Sequence, residues 1–211
     1  MKRKIIALLL VFTILTLISC DKNREYDESE VKTAAQELIE KSEVVNLVFY
    51  GTGIAYDDDK NQSSGYYYPA SEAHLNELGF KTISELKAKT EEVYTKALCE
   101  IIFSTRLTSV SDDGYVISLA RYYEKEVDGY PVIMVYTAAE PQYTNSVVYL
   151  YDTLKVEGSK GELIYVTVDL LLTSTEGKKQ TVNARLALLE ESDGYRLDTL
   201  SFAVYNPDIT K

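Results

Sequence analysis

The feature that most constrains the fold is a period-two alternation of apolar and polar residues between positions 147 and 205. Residues 147–157, 162–174 and 179–191 carry apolar side chains at most of their even-numbered positions. Such spacing places those side chains on one face of a β-strand. Glycines separate the segments, and glycine adopts the positive φ angles that tight turns need. With a fourth segment at residues 195–205, the pattern predicts an antiparallel meander that has one apolar face.

The first and last of these segments carry irregular positions. The apolar positions of the first segment are Val148, Leu150, Leu154 and Val156. Asp152 has the same parity, so it either joins the apolar face as a candidate site residue or lies near solvent at a strand end. In the last segment the apolar parity changes after Asp198-Thr199, which predicts a β-bulge that bends the sheet there.

A helix is predicted to cover the apolar face of the meander. Asp27 and Glu30 have the spacing of a capping box, which marks a helix N-terminus. Apolar residues then recur at three- and four-residue steps from Val31 to Val48. A stripe with this period lies on one side of a helix, which is the side that must be buried.

The middle of the chain predicts two further helical regions and a hairpin. Residues 71–78 form a short helix that Gly79 ends, and residues 82–85 are a second capping box that opens the next helix. Residues 115–127 and 130–139 are the arms of a hairpin about Asp128-Gly129. Arg121 lies in the first arm, where it either recognises an anion or is simply an exposed arginine on an edge strand.

This order of elements resembles the NTF2-like (cystatin-like) domains, and the resemblance covers roughly residues 30–205. The ending Asp193-Gly194-Tyr195-Arg196-Leu197-Asp198-Thr199 is similar to the close of such domains in extracytoplasmic lipoproteins of Firmicutes. The resemblance implies an α+β cone, in which N-terminal helices pack on a strongly curved antiparallel sheet of about five or six strands. Residues 29–211 are accordingly expected to form a single domain.

The start of the chain predicts export and lipidation. Lys2-Arg3-Lys4 precedes an apolar run over residues 5–17, which is too short and wrongly flanked for a stable spanning helix. Residues 17–20, Leu-Ile-Ser-Cys, resemble the bacterial lipobox. In that family the cysteine receives a diacylglyceryl group, and the signal is cut before it. Residues 1–19 are therefore the expected signal peptide, with Cys20 lipidated, residues 20–28 as tether and palmitate-type chains in the cell membrane.

Composition and charge disfavour several classes of function. The chain has a net charge of −11, which disfavours nucleic acid as a partner. Cys99 is the only cysteine left after lipidation, so neither a disulfide nor a cysteine zinc site is expected. Asp57, Asp59, Asn61 and Ser63 alternate like calcium-loop ligands, yet Gln62 stands where the loop needs glycine. No metal and no cofactor are therefore expected.

Tyrosines supply most of the candidate site residues. The chain has 18 of them, a content that favours either strands or a recognition surface. Tyr66, Tyr67 and Tyr68 form either a docking patch or a loop packed on the core. Tyr122 and Tyr136, with Asp152, are the residues expected to bind a ligand if the predicted cone holds a cavity.

Three functions remain open, because the fold that the resemblance implies hosts enzymes, binders and interaction modules. The first is a non-catalytic module that binds an unknown protein or envelope component at the extracytoplasmic face of the membrane. The alternative is a lipoprotein that holds a small ligand in the cone cavity. An enzyme of the ketosteroid-isomerase type is the third, although Asp152, Asp169 and Asp198 do not match that branch's motif. The family resemblance also makes a homodimer plausible.

The lipobox assignment is testable at Cys20. We expect a Cys20→Ser variant, produced in a bacterial host, to lose incorporation of alkyne-labelled palmitate, because the acylated thiol is gone. The measurement is in-gel fluorescence after coupling of a dye to the alkyne. A Cys99→Ser variant is the matched control and should keep the label. Label retained in the Cys20→Ser variant would contradict the assignment.

Overall fold

The structure is a computed structural model that describes residues 25–57, 66–107, 120–139, 146–174 and 176–201. The signal region and Cys20 lie outside these ranges, as do Asp59, Asn61 and Ser63. The elements in chain order are α1 (Glu28–Phe49), β1 (Tyr67–Pro69), α2 (Glu72–Leu78), α3 (Ile83–Glu91), α4 (Lys96–Arg106), β2 (Tyr122–Val127), β3 (Tyr130–Tyr136), β4 (Ser146–Lys160), β5 (Leu163–Thr173), β6 (Lys179–Glu191) and β7 (Gly194–Leu197). The fold class is therefore α+β, as predicted.

Helix α1 begins where the sequence predicts. The Asp27 carboxylate accepts the N–H groups of Ser29, at 2.7 Å, and of Glu30, at 3.1 Å, and so satisfies two of the donors that a helix N-terminus leaves free. The predicted apolar stripe is the buried face of α1; its buried apolar members are Val31, Ala35, Leu38, Ile39, Val45, Val48 and Phe49. No helix in the described part of the chain is long and apolar enough to cross a membrane.

The predicted meander is confirmed as a four-stranded antiparallel sheet in the order β4-β5-β6-β7. The alternation is strict in β5, whose buried residues are Ile164, Val166, Val168, Leu170 and Leu172. Strand β6 adds Ala184, Leu186 and Leu188 to the same face. These residues and the buried face of α1 belong to one hydrophobic core, so aliphatic side chains fill the space between helix and sheet.

Strand β4 departs from the predicted alternation. Its pairing with β5 shifts register between Leu150 and Lys155, and again between Val156 and Gly158. Before the first shift, Val147 and Tyr149 pair with buried β5 residues, whereas Val148 is 50% exposed. The prediction that Val148 and Leu150 lie on the apolar face is therefore wrong. The extra residues of the bulge change the parity of the strand, so that only Leu154 of the predicted set is buried.

The last strand is shorter than predicted. Strand β7 ends at Leu197, and Asp198 and Thr199 form a bend where the sequence predicts a bulge. Helix α4 explains the bend, because the N-cap Thr95 donates its N–H to the carbonyl of Leu197 and its hydroxyl to Asp198 Oδ1 at 2.8 Å. Residues 202–205 of the predicted strand lie outside the described ranges.

The predicted hairpin forms a second sheet. Its turn is confirmed, since Asp128 and Gly129 have φ angles of 53° and 82°. Strand β1 pairs with the other edge of β3, which gives a three-stranded antiparallel sheet in the order β1-β3-β2. The described strands are thus divided between two sheets, which differs from the single curved sheet that the family resemblance implies.

Hydrogen bonds join the hairpin to the C-terminal end of α1. The Tyr122 hydroxyl donates to the carbonyl of Val48 at 2.7 Å and accepts the N–H of Ile54 at 3.0 Å. The Arg121 guanidinium donates to the carbonyl of Gly51 at 2.6 Å. Carbonyls in the last turn of a helix lack partners within the helix, so Tyr122 caps α1 through Val48. Arg121 holds the segment that follows the C-cap Tyr50.

Gly53 is needed at this junction for both its conformation and its lack of a side chain. Its φ is 82°, and a Cβ atom there would lie 2.6 Å from the Tyr122 hydroxyl and 2.7 Å from Arg121 Nη2. Gly129 has the same φ of 82° but no heavy atom within 4 Å of such a Cβ.

Alanine substitutions at Gly53 and Gly129 distinguish the need for a positive φ angle, which both glycines share, from the need for space, which only Gly53 has. We expect Gly129→Ala to cost about 1 kcal/mol of unfolding free energy, the cost of a left-handed alanine. Gly53→Ala should cost a further 1 to 3 kcal/mol, roughly, because it also overpacks the space beside Tyr122 and Arg121. Urea denaturation of both variants measures the difference. Equal destabilisation would show that the close approach at Gly53 contributes nothing.

Candidate functional site

The residues predicted to line a ligand cavity do not meet in the structure. Tyr122 is fully buried at the end of α1, where its hydroxyl makes the two hydrogen bonds described above. Burial raises the pKa of Tyr122 to about 12, and the charge of Arg121 only partly opposes the effect. Tyr122 therefore has a structural role at the junction between α1 and the hairpin.

Tyr136 and Asp152 lie in two different sheets. Tyr136 is half-buried in β3, opposite Tyr67, and packs on a small second cluster with Met134. Asp152 is exposed in the bulge of β4. This placement agrees with the alternative that Asp152 lies near solvent. The other expectation, that Asp152 joins the apolar face, is wrong because the register shift changes which face the residue lies on.

The three consecutive tyrosines also separate, because Tyr66 precedes β1 and because Tyr67 and Tyr68 alternate between the faces of that strand. Tyr67 is buried and donates its hydroxyl to the carbonyl of Ala120 at 2.9 Å. Tyr66 is 68% exposed and contacts Tyr136 edge-on, with ring centroids 6.2 Å apart. Tyr68 is half-buried against Tyr56. A docking patch that uses all three rings is therefore not formed.

Arg121 is not the exposed edge arginine that the sequence favours. It is 6% exposed, and its guanidinium lies at the C-terminal end of α1. Arg106, the last residue of α4, places its guanidinium 4.5 Å from the ring centroid of Tyr50. Both cations thus lie near helix C-termini, which favours them through the helix dipole.

Cys99 is the buried thiol that its apolar neighbours predict. Its S–H group contacts the carbonyls of Tyr94, at 3.4 Å, and of Thr90, at 3.6 Å. Burial raises the pKa of Cys99 to about 12, and the nearby carboxylates of Glu91 and Glu191 act in the same direction. A thiol in this state is a poor nucleophile at neutral pH. Among the described residues no group of three or more His, Cys, Asp or Glu is arranged to hold a metal ion.

The candidate site is a surface groove that the sequence did not predict. It lies between the β2–β3 hairpin, the end of β1 and the start of α2 and α3, and has a volume of about 640 Å³. We call it the hairpin groove. Its apolar lining includes Pro69, Leu75, Val127, Pro131, Val132 and Met134. Tyr130 stands at the hairpin end of the groove and is 73% exposed.

Sheet register explains how the hairpin groove obtains its apolar wall. Val127 pairs with Tyr130, and Lys125 pairs with Val132, so these side chains share one face of the hairpin. The opposite face, where Glu124 pairs with Ile133 and Glu126 with Pro131, adds Ile133 and Pro131 to the lining. Glu124 also accepts the N–H of Ile83 at 2.8 Å, which attaches the start of α3 to the hairpin. The sequence signals for the groove are Val127, Val132 and two prolines, at positions that are half-buried or exposed, and its depth arises from the docking of α2 and α3.

Charged side chains border the groove on the helical side and on β2. They are Lys81, Lys125, Glu72 and Glu85. Thr82 is the N-cap of α3, and its hydroxyl accepts the N–H of Glu85 at 3.1 Å. The Glu85 carboxylate reaches back to the N–H of Lys81. The capping box that the sequence predicts therefore also shapes the rim of the groove.

Comparison with known proteins supplies no relative for this chain. No protein-family model, no curated protein and no solved structure matches it.

The structural role of Tyr122 is testable by removal of its hydroxyl alone. We expect Tyr122→Phe to lower the unfolding free energy by about 2 to 4 kcal/mol, because the Val48 carbonyl and the Ile54 N–H lose their partner in a buried place. Tyr130→Phe is the matched control at an exposed position and should change stability by less than about 0.5 kcal/mol. Urea denaturation measures both. A stable Tyr122→Phe variant would return Tyr122 to the candidate ligand residues.

Proposed function

We propose that this protein is a lipid-anchored, extracytoplasmic lipoprotein whose folded domain is a non-catalytic binding module. Its ligand is an extended segment of a partner protein, bound in the hairpin groove. The observation that carries the proposal is the groove itself, an open and mainly apolar surface depression of about 640 Å³ next to exposed Tyr130. Aromatic residues are enriched in surfaces that bind proteins, and a volume of this size accepts several side chains.

The filled core favours a surface site over a cavity in the cone. Aliphatic side chains from α1, β5 and β6 occupy the space in which a cone ligand would lie. The residues expected to bind such a ligand, Tyr122, Tyr136 and Asp152, are also in separate places. The hairpin groove lies at the edge of this core, which contributes Leu75 and Ile133 to its lining, and it opens to solvent.

The shape and chemistry of the groove favour a protein segment as the occupant. One wall is the hairpin and the other is the α2–α3 region, so a chain can pass between them. Pro69 and Pro131 present rigid apolar rings, and the charges on the rim suit the polar backbone and side chains of a peptide. Recognition of extended segments commonly combines such an apolar groove with a few polar contacts.

The membrane anchor and the family remain part of the proposal. The lipobox-like residues 17–20 and the short tether support a domain held close to the outer face of the membrane. Helix α1, packed across an antiparallel sheet, supports the NTF2-like resemblance, while the division into two sheets departs from a single cone. Tethering to a surface raises the effective concentration of a partner at that surface, which suits a module that binds with modest affinity.

The groove proposal is testable in cells with a photoreactive amino acid. We expect p-benzoylphenylalanine in place of Tyr130 to give a discrete covalent adduct with a protein on irradiation, because Tyr130 stands at the groove and is exposed. Adding Val127→Glu, which places a carboxylate on the apolar wall, should reduce the adduct about tenfold or more. The adduct is measured by immunoblot against a tag on the lipoprotein.

Val148→Glu is the matched control for that experiment. Val148 is a strand valine that is 50% exposed, whereas Val127 is half-buried, and it lies on the four-stranded sheet, outside the groove. This variant should leave the Tyr130 adduct unchanged. Equal reduction in both variants, or no adduct at Tyr130, would contradict the proposed site.

A further inference from the structure

We infer that the first half of strand β4 pairs, edge to edge and antiparallel, with the same strand of a second copy of this chain. Strand β4 is terminal in the order β4-β5-β6-β7, so only one of its two edges has a strand partner in the described part of the chain. We call its other edge, over residues 146–151, the outer edge. The terminal strand of a sheet is a template on which a strand of another chain can form hydrogen bonds. The outer edge is on the other sheet from the hairpin groove.

The other three sheet edges are each covered by another part of the described chain. Isolated bridges join Leu107 to β2, Tyr94 to β7, and Tyr56 to the residue that follows β1. Among the described residues no such bridge reaches β4. The outer edge of β4 therefore differs from the other edges in the part of the chain that the structure describes.

The strand sequences show the same difference. Strands β1 and β7 have only three and four residues, and β2 carries the charged run Glu124-Lys125-Glu126. Short strands and charged side chains are the usual protections of a sheet edge against pairing between chains. Residues 146–151, Ser-Val-Val-Tyr-Leu-Tyr, contain no charge, no proline and no glycine. Lys155, Glu157 and Lys160 lie only in the second half of β4, where the pairing with β5 also shifts register.

Backbone direction in β4 determines how a partner strand faces Val148. Asp169 of β5 donates its N–H towards β4, to Thr153 Oγ1 at 2.8 Å. Leu171, two residues along β5, has the same direction and pairs with Val148. The backbone groups of Val148 are therefore directed to β5. Across the outer edge, Val148 faces its partner as a non-hydrogen-bonded pair, whose Cα atoms lie about 4.5 Å apart.

A second copy of the same segment complements the outer edge. Antiparallel pairing about the centre of the apolar run 147–151 places Val148 opposite Leu150 of the second copy, and Ser146 opposite Asp152. The first pair covers a valine that is 50% exposed with an aliphatic side chain. The second pair joins a hydroxyl donor to a carboxylate acceptor. No like charges face each other in this register, so the segment accepts a copy of itself.

The geometry predicts a weak dimer that does not grow. Two-fold pairing uses the outer edge of both copies, and the other edges of the described sheets are covered, so association ends at two chains. A contact along one short strand segment lies at the small end of protein interfaces, below about 1,200 Å². Anchoring in one membrane surface, as proposed above, raises the effective concentration of the copies and favours such a contact.

Cysteine pairs test the register in cells. Two differently tagged copies of the full-length protein are produced in one bacterial host, one with Val148→Cys and the other with Leu150→Cys, and copper phenanthroline is added as oxidant. We expect a disulfide-linked dimer that carries both tags. Its yield should exceed that from two Val148→Cys copies by about fivefold or more, because facing Cα atoms are within disulfide range and diagonal ones, about 7 to 8 Å apart, are not.

Two controls accompany the cysteine pairs. The chain without added cysteines should give no dimer, since Cys99 is buried. Two Ile101→Cys copies report random collision, because Ile101 is 59% exposed on α4, away from β4. Equal yields from the facing pair and from the diagonal or Ile101→Cys pairs would overturn the antiparallel register.

A lysine on the outer edge tests the contact itself. We expect p-benzoylphenylalanine at exposed Ser146 to give, on irradiation, an adduct that carries both tags. Val148→Lys should lower its yield about tenfold, because the ammonium group would have to lose water against Leu150 of the second copy. Ile101→Lys, an equal change of charge at another exposed aliphatic residue, should leave the yield unchanged. Equal loss in both variants would overturn the pairing.

The composition of the adduct identifies the occupant. An adduct with one tag and a different mass would overturn the second copy as partner, because a strand of another protein would then lie on the outer edge. Adducts of three or more copies would overturn the closed dimer, and no adduct would overturn the inference altogether. Val148→Lys should leave the Tyr130 adduct of the hairpin groove unchanged, since the two surfaces belong to different sheets, so this inference and the proposed function can fail separately.

Discussion

The burial of one face of α1 against the four-stranded sheet is the interaction on which the rest of the structure depends. Val31, Ile39 and Val48 of the helix are inaccessible to solvent, as are Val166 and Leu186 of the sheet. Each fully buried aliphatic side chain of this kind contributes about 1.5 to 3 kcal/mol. Because this contact excludes water from the centre of the molecule, the remaining elements are arranged around it, and any ligand site must lie outside it.

The second sheet depends on the end of that helix. Tyr122 and Arg121 hold the hairpin to the carbonyls of Val48 and Gly51, and Gly53 allows the chain to pass close to both side chains. The far end of the hairpin then projects past α2 and α3, and Glu124 attaches it to the start of α3. The position of the hairpin, and with it the shape of the hairpin groove, therefore depends on hydrogen bonds to the end of α1 and to the start of α3.

Local chemistry predicts some elements well and others poorly. Asp27, Thr82, Gly79 and the Asp128-Gly129 turn act as predicted, because capping and turn formation depend on residues a few positions apart. The predicted parity of β4 is wrong for Val148 and Leu150, because a bulge depends on how two strands pair. The sequence makes Tyr122 a ligand residue if the cone holds a cavity and favours solvent for Arg121, whereas their partners are carbonyls some seventy residues earlier in the chain.

By itself, the sequence determined the α+β class, the apolar faces of α1, β5 and β6, and the positions of most helix ends and turns. Each of these follows from residue periodicity or from short-range hydrogen bonding, which the order of residues contains directly. Only the tertiary structure decided that the strands form two sheets, that Asp152 faces solvent, and that Val127, Lys125 and Lys81 meet at one groove. Such outcomes depend on which distant surfaces pack together, and that choice is made by the burial of the whole core rather than by any single segment.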